Sequence, residues 1–361
     1  MEGSGASGRL DAFPAENHQE RDFETMRGDE STAKLVFLCG GQGTQYFHMG
    51  KELFGVNAAF RSCLLRGEAV FHRVAGASLL DAMFDPSRSK SDSFDQLKYS
   101  HPAIFLIEYA LARALAEHGI VPDLVVGCSL GEFAAAAISS MAEFDDALVS
   151  VIEQADGIAR HCEEAGMTAI LDGVELFDGE PALFADCELA AVNYARHFVI
   201  SASRPALARV ERALRQRDIL HQRLPVRYGF HSGWIALPDA VRAGLALRPG
   251  QVPPQVPAWS CAAMAPVVRF DADHGWRVLR SPIRFAETLK AIPDHARHAY
   301  VDLSPSGTLS AFSRNVLGAE SQRSIFSAMS PFGNDAQVFE AMVAGVLGFR
   351  RRDRRFPEPS C

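Results

Sequence analysis

The sequence predicts an α/β fold: a larger domain built on a mostly parallel sheet, with a small ferredoxin-like subdomain inserted into it. Three observations predict it. Short apolar runs alternate with segments of helical periodicity through most of the chain. At residues 123–137 an apolar strand, a sharp glycine-flanked turn and a small-residue helix follow in direct succession. From about Met167 to Arg227 the rhythm changes to the order βαββαβ.

Taken in order, residues 34–39 (KLVFLC) form a short apolar strand, and residues 102–118 carry apolar side chains at helical spacing. Residues 123–127 make the next strand, and residues 145–160 an amphipathic helix. In the inserted unit, 168–171 reads as a strand and 180–185 as a short helix. Residues 188–193 and 197–201 read as paired strands, 205–217 as a helix and 221–226 as a last strand. Beyond it, 256–261 and 299–303 are strand-like, and 282–291 opens a helix with Pro282 in its first turn. This organisation places the large domain at 34–164 and 229–348, and the small one at 165–228. Residues 1–33, polar and without periodicity, read as a disordered leader, and 349–361 as a basic, solvated tail.

Composition narrows the class. A chain of 361 residues, 48% hydrophobic, suits one large domain with an insertion or two domains. There is no uninterrupted apolar run of about 18 residues and no basic segment leading into an apolar one, so neither a membrane span nor a secretory signal is expected. Seven scattered cysteines, an odd number without Cys-x-x-Cys, point to reduced thiols, a cytoplasmic setting and no zinc site. A net charge of −8 argues against general nucleic-acid affinity.

The chemistry is concentrated at Gly127-Cys128-Ser129-Leu130-Gly131. A strand that turns sharply into a helix through glycines thrusts the intervening serine out, beside the positive end of the helix dipole. Such a serine needs a base and an oxyanion hole. Gly40-Gly41-Gln42-Gly43-Thr44-Gln45, directly after the first strand, lacks the Gly-x-Gly-x-x-Gly spacing of a phosphate loop but can aim a backbone N–H at a developing oxyanion. His231, at the exit from the small subdomain, lies at the seam where a general base could reach Ser129. Each feature alone has an ordinary structural reading. Their combination is what carries chemistry.

Gly-Gln-Gly-Thr-Gln at 41–45, Gly-x-Ser-Leu-Gly-Glu at 127–132 and Phe-His-Ser at 230–232 occur in that order. Together with Met49-Gly50, Asn193, Val199-Ile200-Ser201, Ser281-Pro282-Ile283-Arg284-Phe285 and Asp302-Leu303-Ser304-Pro305-Ser306-Gly307, they resemble the malonyl-CoA:acyl-carrier-protein transacylase family over roughly residues 34–345. The resemblance implies a hydrolase-like large domain with an inserted ferredoxin-like subdomain. It implies Ser129 as nucleophile, His231 as base, and the backbone N–H groups of Gln42 and Leu130 as oxyanion hole. It also implies that a backbone carbonyl near Arg284, not a carboxylate, orients the histidine.

One departure bears on substrate. Family members handling malonyl groups place an arginine in the helix after the nucleophile, and the matching position here, 25 residues after Ser129, is Gln154. No Arg or Lys stands between Glu132 and Arg160. Glutamine cannot make the paired charge-assisted bonds that arginine offers a carboxylate. A carboxylate buried there without its cation costs about 3–5 kcal/mol, a hundredfold or more in affinity. Gln154, Ser-His-Pro-Ala-Ile-Phe at 100–105 and Asn193-Tyr194 resemble the stand-alone acyl hydrolases of trans-acyltransferase polyketide synthases. That resemblance implies proofreading: acyl groups are stripped from blocked carrier domains through an acyl-serine, with Gln154 and Asn193 lining the substrate site. Transfer of an uncharged acyl group to a carrier protein and non-catalytic carrier binding stay open on the residues alone. Cys128, where the transferases usually have histidine, and Gly233-Trp234-Ile235 after Phe-His-Ser are further departures.

No cofactor or metal is expected beyond the phosphopantetheine that carries the substrate. The implied partners are acyl carrier domains of a polyketide synthase. Seven arginines between 204 and 227 stand against Glu211 and Asp218, and Arg209, Arg212 and Arg215 would present a basic face to an acidic carrier.

Overall fold

The computed structural model describes residues 33–250, 254–318, 321 and 324–353. Strand β1 (Leu35–Cys39) leads to helices α1 (Lys51–Val56), α2 (Ala58–Ala75), α3 (Leu79–Met83) and α4 (Leu97–Ala116). Then come β2 (Leu124–Gly127), α5 (Gly131–Ile138) and α6 (Phe144–His161). The inserted unit holds β3 (Gly166–Ile170), α7 (Glu175–Gly179), β4 (Cys187–Tyr194), β5 (His197–Ala202), α8 (Arg204–Gln216) and β6 (His221–Arg223). The chain returns through α9 (Asp239–Ala243), β7 (Ala258–Ser260), β8 (Ala265–Val267), α10 (Ala272–Arg280), β9 (Ile283–Arg284) and α11 (Phe285–Ala291). It ends with β10 (Ala299–Asp302), α12 (Thr308–Leu317), β11 (Ile325–Ser327) and α13 (Asp335–Asp353).

The large sheet has the order β11-β10-β1-β2-β7-β8, parallel except for the β7–β8 pair. Its central strand explains why the sequence there is continuously apolar. Leu35, Phe37 and Cys39 pack against α2, α4 and α5, while Val36 and Leu38 pack on the opposite face with Phe285, Leu289 and Leu309. Both faces are covered by helices, as a parallel sheet requires. The register Cys39↔Gly127 brings the ends of β1 and β2 level, so the Gly40–Gly43 turn and the serine turn meet.

The small sheet has the order β6-β3-β5-β4-β9 and is antiparallel except for β4–β9. Phe198, Ile200 and Ala202 pack on Ala206, Leu207, Val210 and Leu214 of α8. That helix starts where the sequence places it: the Ser203 side chain accepts from the Ala206 N–H and Pro205 occupies the first turn. Its fifth strand was unforeseen. Ile283 and Arg284 pair with Ala191 and Val192, so the predicted helix at 282–291 begins only at Phe285.

Other boundaries differ for local reasons. The helix predicted at 180–185 lies earlier, at α7, because Pro181 disfavours helical backbone at Glu180. The helix predicted from 102 begins at Leu97 and carries Pro102 inside it. The last small-domain strand stops at Arg223 rather than 226, and the strand predicted at 256–261 is confined to β7. The basic segment from 349 continues α13 to Asp353, and Arg350 donates to the carbonyls of Gly119 and Val121 at 2.9 Å each. The predicted leader up to residue 32 and the tail beyond 353 lie outside the described residues. No helix of the described residues is long and apolar enough to cross a membrane.

Candidate active site

Ser129 occupies the turn between β2 and α5 with φ +58°, a left-handed conformation that costs a non-glycine residue of order 1–3 kcal/mol. The glycines around it are required by close approach. A Cβ on Gly127 would stand 2.4 Å from Glu132 Cα, and one on Gly131 2.2 Å from the Cys39 carbonyl oxygen. One on Gly41 would meet Ser129 Cβ at 2.8 Å. The serine is thus clamped between the turn that follows β1 and the start of α5.

His231 reaches it from the far side of the inserted unit. Ser129 Oγ and His231 Nε2 are 2.8 Å apart, and His231 Nδ1 is 3.0 Å from the Ser281 carbonyl oxygen. A carbonyl can only accept, so Nδ1 carries the proton and Nε2 is left with a lone pair for the serine hydroxyl. The His231 N–H donates to Leu279 O at 2.9 Å, and its φ of +60° is also left-handed. Burial pushes its pKa down to about 4, so the imidazole is neutral at neutral pH. The orienting carbonyl is that of Ser281, three residues before Arg284, near which the sequence placed it. Ser281 closes α10 and leads into β9, so the small sheet's fifth strand fixes this carbonyl.

The N–H groups of Gln42 and Leu130 enter no hydrogen bond with the described residues. Gln42 lies in a fastened turn: the Gly40 N–H donates to Glu108 Oε1 at 2.5 Å, Thr44 Oγ1 to Gly41 O at 2.8 Å, and the Gly43 N–H to Gln45 Oε1 at 2.7 Å. Burial drives the Glu108 carboxyl well above the usual carboxylate range. Together these groups offer a hydroxyl, a neutral base and two free backbone donors, the set needed to add a serine to a carbonyl carbon.

The acid of the serine motif has another task. Glu132 Oε2 is 2.8 Å from His274 Nε2, and its Oε1 accepts from Ser260 Oγ and from the Ala262 N–H. It ties α5 to β7 and α10. Gln154 is buried on α6 with both amide atoms unpartnered among the described residues. The Asn193 amide lies 3.0 Å from His197 Nδ1 and makes no hydrogen bond with Ser129 or His231. Trp234 lines a cavity of about 580 Å³ together with His161, Glu163 and Glu188. Cys128 is a buried thiol. Among the described residues no cluster of His, Cys, Asp or Glu is arranged to hold a metal ion.

The arginine-rich stretch is less bare than its sequence. Arg204 and Arg227 pair with Glu164, Arg217 with Glu180, Arg223 with Glu211, and Arg209 with Asp186. Arg212 and Arg215, one turn apart on the exposed side of α8, form no ion pair with the described residues. Sequence reasoning placed the orienting carbonyl near Arg284 without naming Ser281, and missed Glu108 as the group that fastens the Gly40 turn. Only Glu108 left a signal, a lone acid in the apolar run PAIFLIEYALA.

The acyl transferase domain model matches residues 36–349. The chain belongs to the acyl transferase domain family. It is 42% identical over 313 residues to the polyketide biosynthesis acyltransferase homolog BaeD of Bacillus velezensis, covering 87% of this chain and 97% of that protein. It is 37% identical over 322 residues to the homolog PksD of Bacillus subtilis, covering 89% and 98%. The acyl transferase domain of SpnD superposes with a TM-score of 0.77 at 27% identity, over 91% of this chain and 79% of that one. The acyl transferase fold is thus that of both sheets described above.

Proposed function

We propose that this acyl transferase family protein hydrolyses acyl thioesters on acyl carrier proteins, freeing stalled carrier domains of a polyketide synthase. One observation carries the choice of substrate. The buried position where a malonyl-handling member needs a cation holds the uncharged Gln154. Its relatives BaeD and PksD are named for polyketide biosynthesis, which supports the setting.

In the proposed reaction Ser129 Oγ attacks the thioester carbonyl carbon while His231 Nε2 takes the hydroxyl proton. The oxyanion accepts from the N–H groups of Gln42 and Leu130. The Ser281 carbonyl holds the Nδ1–H throughout, so the imidazolium keeps both protons hydrogen-bonded. Collapse breaks the C–S bond, and the pantetheine sulfur leaves with the proton from Nε2. Water then attacks the acyl-serine, gives its proton to Nε2, and the acid departs as Ser129 regains its hydrogen. No cofactor enters beyond the carrier's own phosphopantetheine arm. Arg212 and Arg215, the two cations of α8 without an ion pair among the described residues, are the proposed contacts for an acidic carrier, with Arg209 partly committed to Asp186.

A second reading, transfer of a non-carboxylated acyl group to a carrier protein, shares every step up to the acyl-serine. The experiment that separates them mixes acetyl-carrier protein with an excess of a distinguishable free carrier and follows both by intact mass spectrometry. Free carrier appearing without acylation of the second one, and lost in Ser129→Ala, is the expected result. Acyl label on the second carrier makes the protein a transferase.

A further inference from the structure

A second polar constellation lies next to the Ser129–His231 pair. Helices α4 and α6 run antiparallel: Tyr109 meets Phe144 with ring centroids 4.6 Å apart at one end, and Leu97 shares an apolar cluster with Ala155 and Ile158 at the other. One turn on from Leu97 is His101, and one turn back from Ile158 is Gln154. Helical spacing thus sets the two at matching levels of the helix pair. Both are 1% exposed. The His101 ring lies 5.7 Å from that of Phe230, and Phe230 lies 6.4 Å from His231.

Neither ring nitrogen of His101 and neither amide atom of Gln154 has a hydrogen-bond partner among the described residues. Buried polar groups are as a rule paired, and leaving four of them unpaired is costly. Burial lowers the His101 pKa to about 3, so the ring is neutral, with one donor and one acceptor. Gln154 adds a donor and an acceptor. The wall thus offers both hydrogen-bonding senses and no charge. A carboxylate, which only accepts, would face two lone pairs with no cation to offset them. A neutral oxygen that both gives and accepts a hydrogen bond fits.

We propose that His101 and Gln154 form a subsite for one neutral hydroxyl oxygen: that of a hydroxyl-substituted acyl chain, or water in its place. The inference rests on the reading that Ser129 takes up an acyl group, and it names the class of acyl group preferred. The test compares 3-hydroxybutyryl- and butyryl-pantetheine in the wild type, His101→Leu, Gln154→Leu and His101→Gln, following acyl-Ser129 formation and decay by intact mass spectrometry. For an acyl hydroxyl, the wild type favours the 3-hydroxy substrate in kcat/KM by about tenfold or more, and either leucine variant brings the ratio near one. His101→Gln, which keeps a neutral donor and acceptor, retains the preference and controls for folding. For water, the leucine variants accumulate acyl-Ser129 from both substrates alike. An unchanged ratio together with unchanged acyl-Ser129 lifetime in folded leucine variants overturns the proposal. Because acyl-Ser129 formation is read directly, a protein that transfers rather than hydrolyses still reports the ratio, whereas one that never acylates overturns the reading beneath it.

Discussion

The Ser129–His231 corner and the His101–Gln154 wall are neighbours through Phe230, yet they treat polar atoms in opposite ways. In the reacting pair itself every side-chain polar atom is engaged: Oγ with Nε2, Nδ1 with the Ser281 carbonyl. At the wall, four buried polar atoms have no partner among the described residues. The difference separates two tasks. A reacting group gains from being fixed before substrate arrives, because its orientation is then not paid for in the transition state. A recognising group has to keep its hydrogen bonds free for the ligand.

Removing the corner should have the largest effect. Ser129→Ala is expected to abolish the covalent acyl-enzyme and lower turnover by about a thousandfold or more, measured as carrier release by mass spectrometry. At the wall, Gln154→Arg should supply the missing cation and raise acylation by malonyl-pantetheine by about a hundredfold. If malonyl gains nothing, the wall does not select by charge. Gly41→Ala tests how rigid the corner must be. Its new Cβ would press on Ser129 Cβ at 2.8 Å, and a displacement near 1 Å should cost about a hundredfold in kcat with little change in secondary structure by circular dichroism.

Acid should affect both regions through their histidines. The pKa values of His231 and His101, about 4 and about 3, lie below the ordinary 6.5. Between these limits the unfolded chain binds more protons than the folded one. Their contribution to stability is therefore complete above pH 6.5. It is lost as pH falls, by about 1.4 kcal/mol per unit for each histidine, until about 4 for His231 and about 3 for His101. Thermal melts across pH 7 to 4 should show this slope, and His101→Leu should flatten it. The acid limb of kcat/KM should have its midpoint near 4 rather than 6.5. The smallest effect is expected at α8, the proposed carrier-docking helix. Arg212→Glu with Arg215→Glu should raise the apparent KM for acyl-carrier protein several-fold at low salt, with a lesser change for acyl-pantetheine. Equal losses on both substrates would remove these arginines from docking.

Much of the corner was legible because its instructions are local. A strand of apolar residues, two glycines about a serine and a small-residue helix specify a nucleophile turn within about 15 residues, and Gly40-Gly41 follows its strand in the same way. Four of the five strands of the small sheet were legible for the same reason, as alternation and turn chemistry are written a few residues apart. A distant partner that is a bare backbone group was not. Ser281, 50 residues from His231, supplies a backbone carbonyl, which every residue type possesses and no sequence pattern marks.

Residues 283–284 read as the start of a helix, and became a strand because β4 offered an unpaired edge. The seven arginines read as a surplus of positive charge, which Glu164, Glu180 and Asp186 from outside the stretch, with Glu211 inside it, reduce to two side chains on α8 unpaired among the described residues. By itself, then, the sequence determined the alternating α/β order, the serine turn and the histidine that follows the inserted unit. Only the tertiary structure decided which carbonyl holds that histidine, which cations are unpaired among the described residues, and that His101 and Gln154 are buried without partners among them. Local backbone preferences act over a few residues, whereas partners are chosen by the packing of helices and strands distant in the chain.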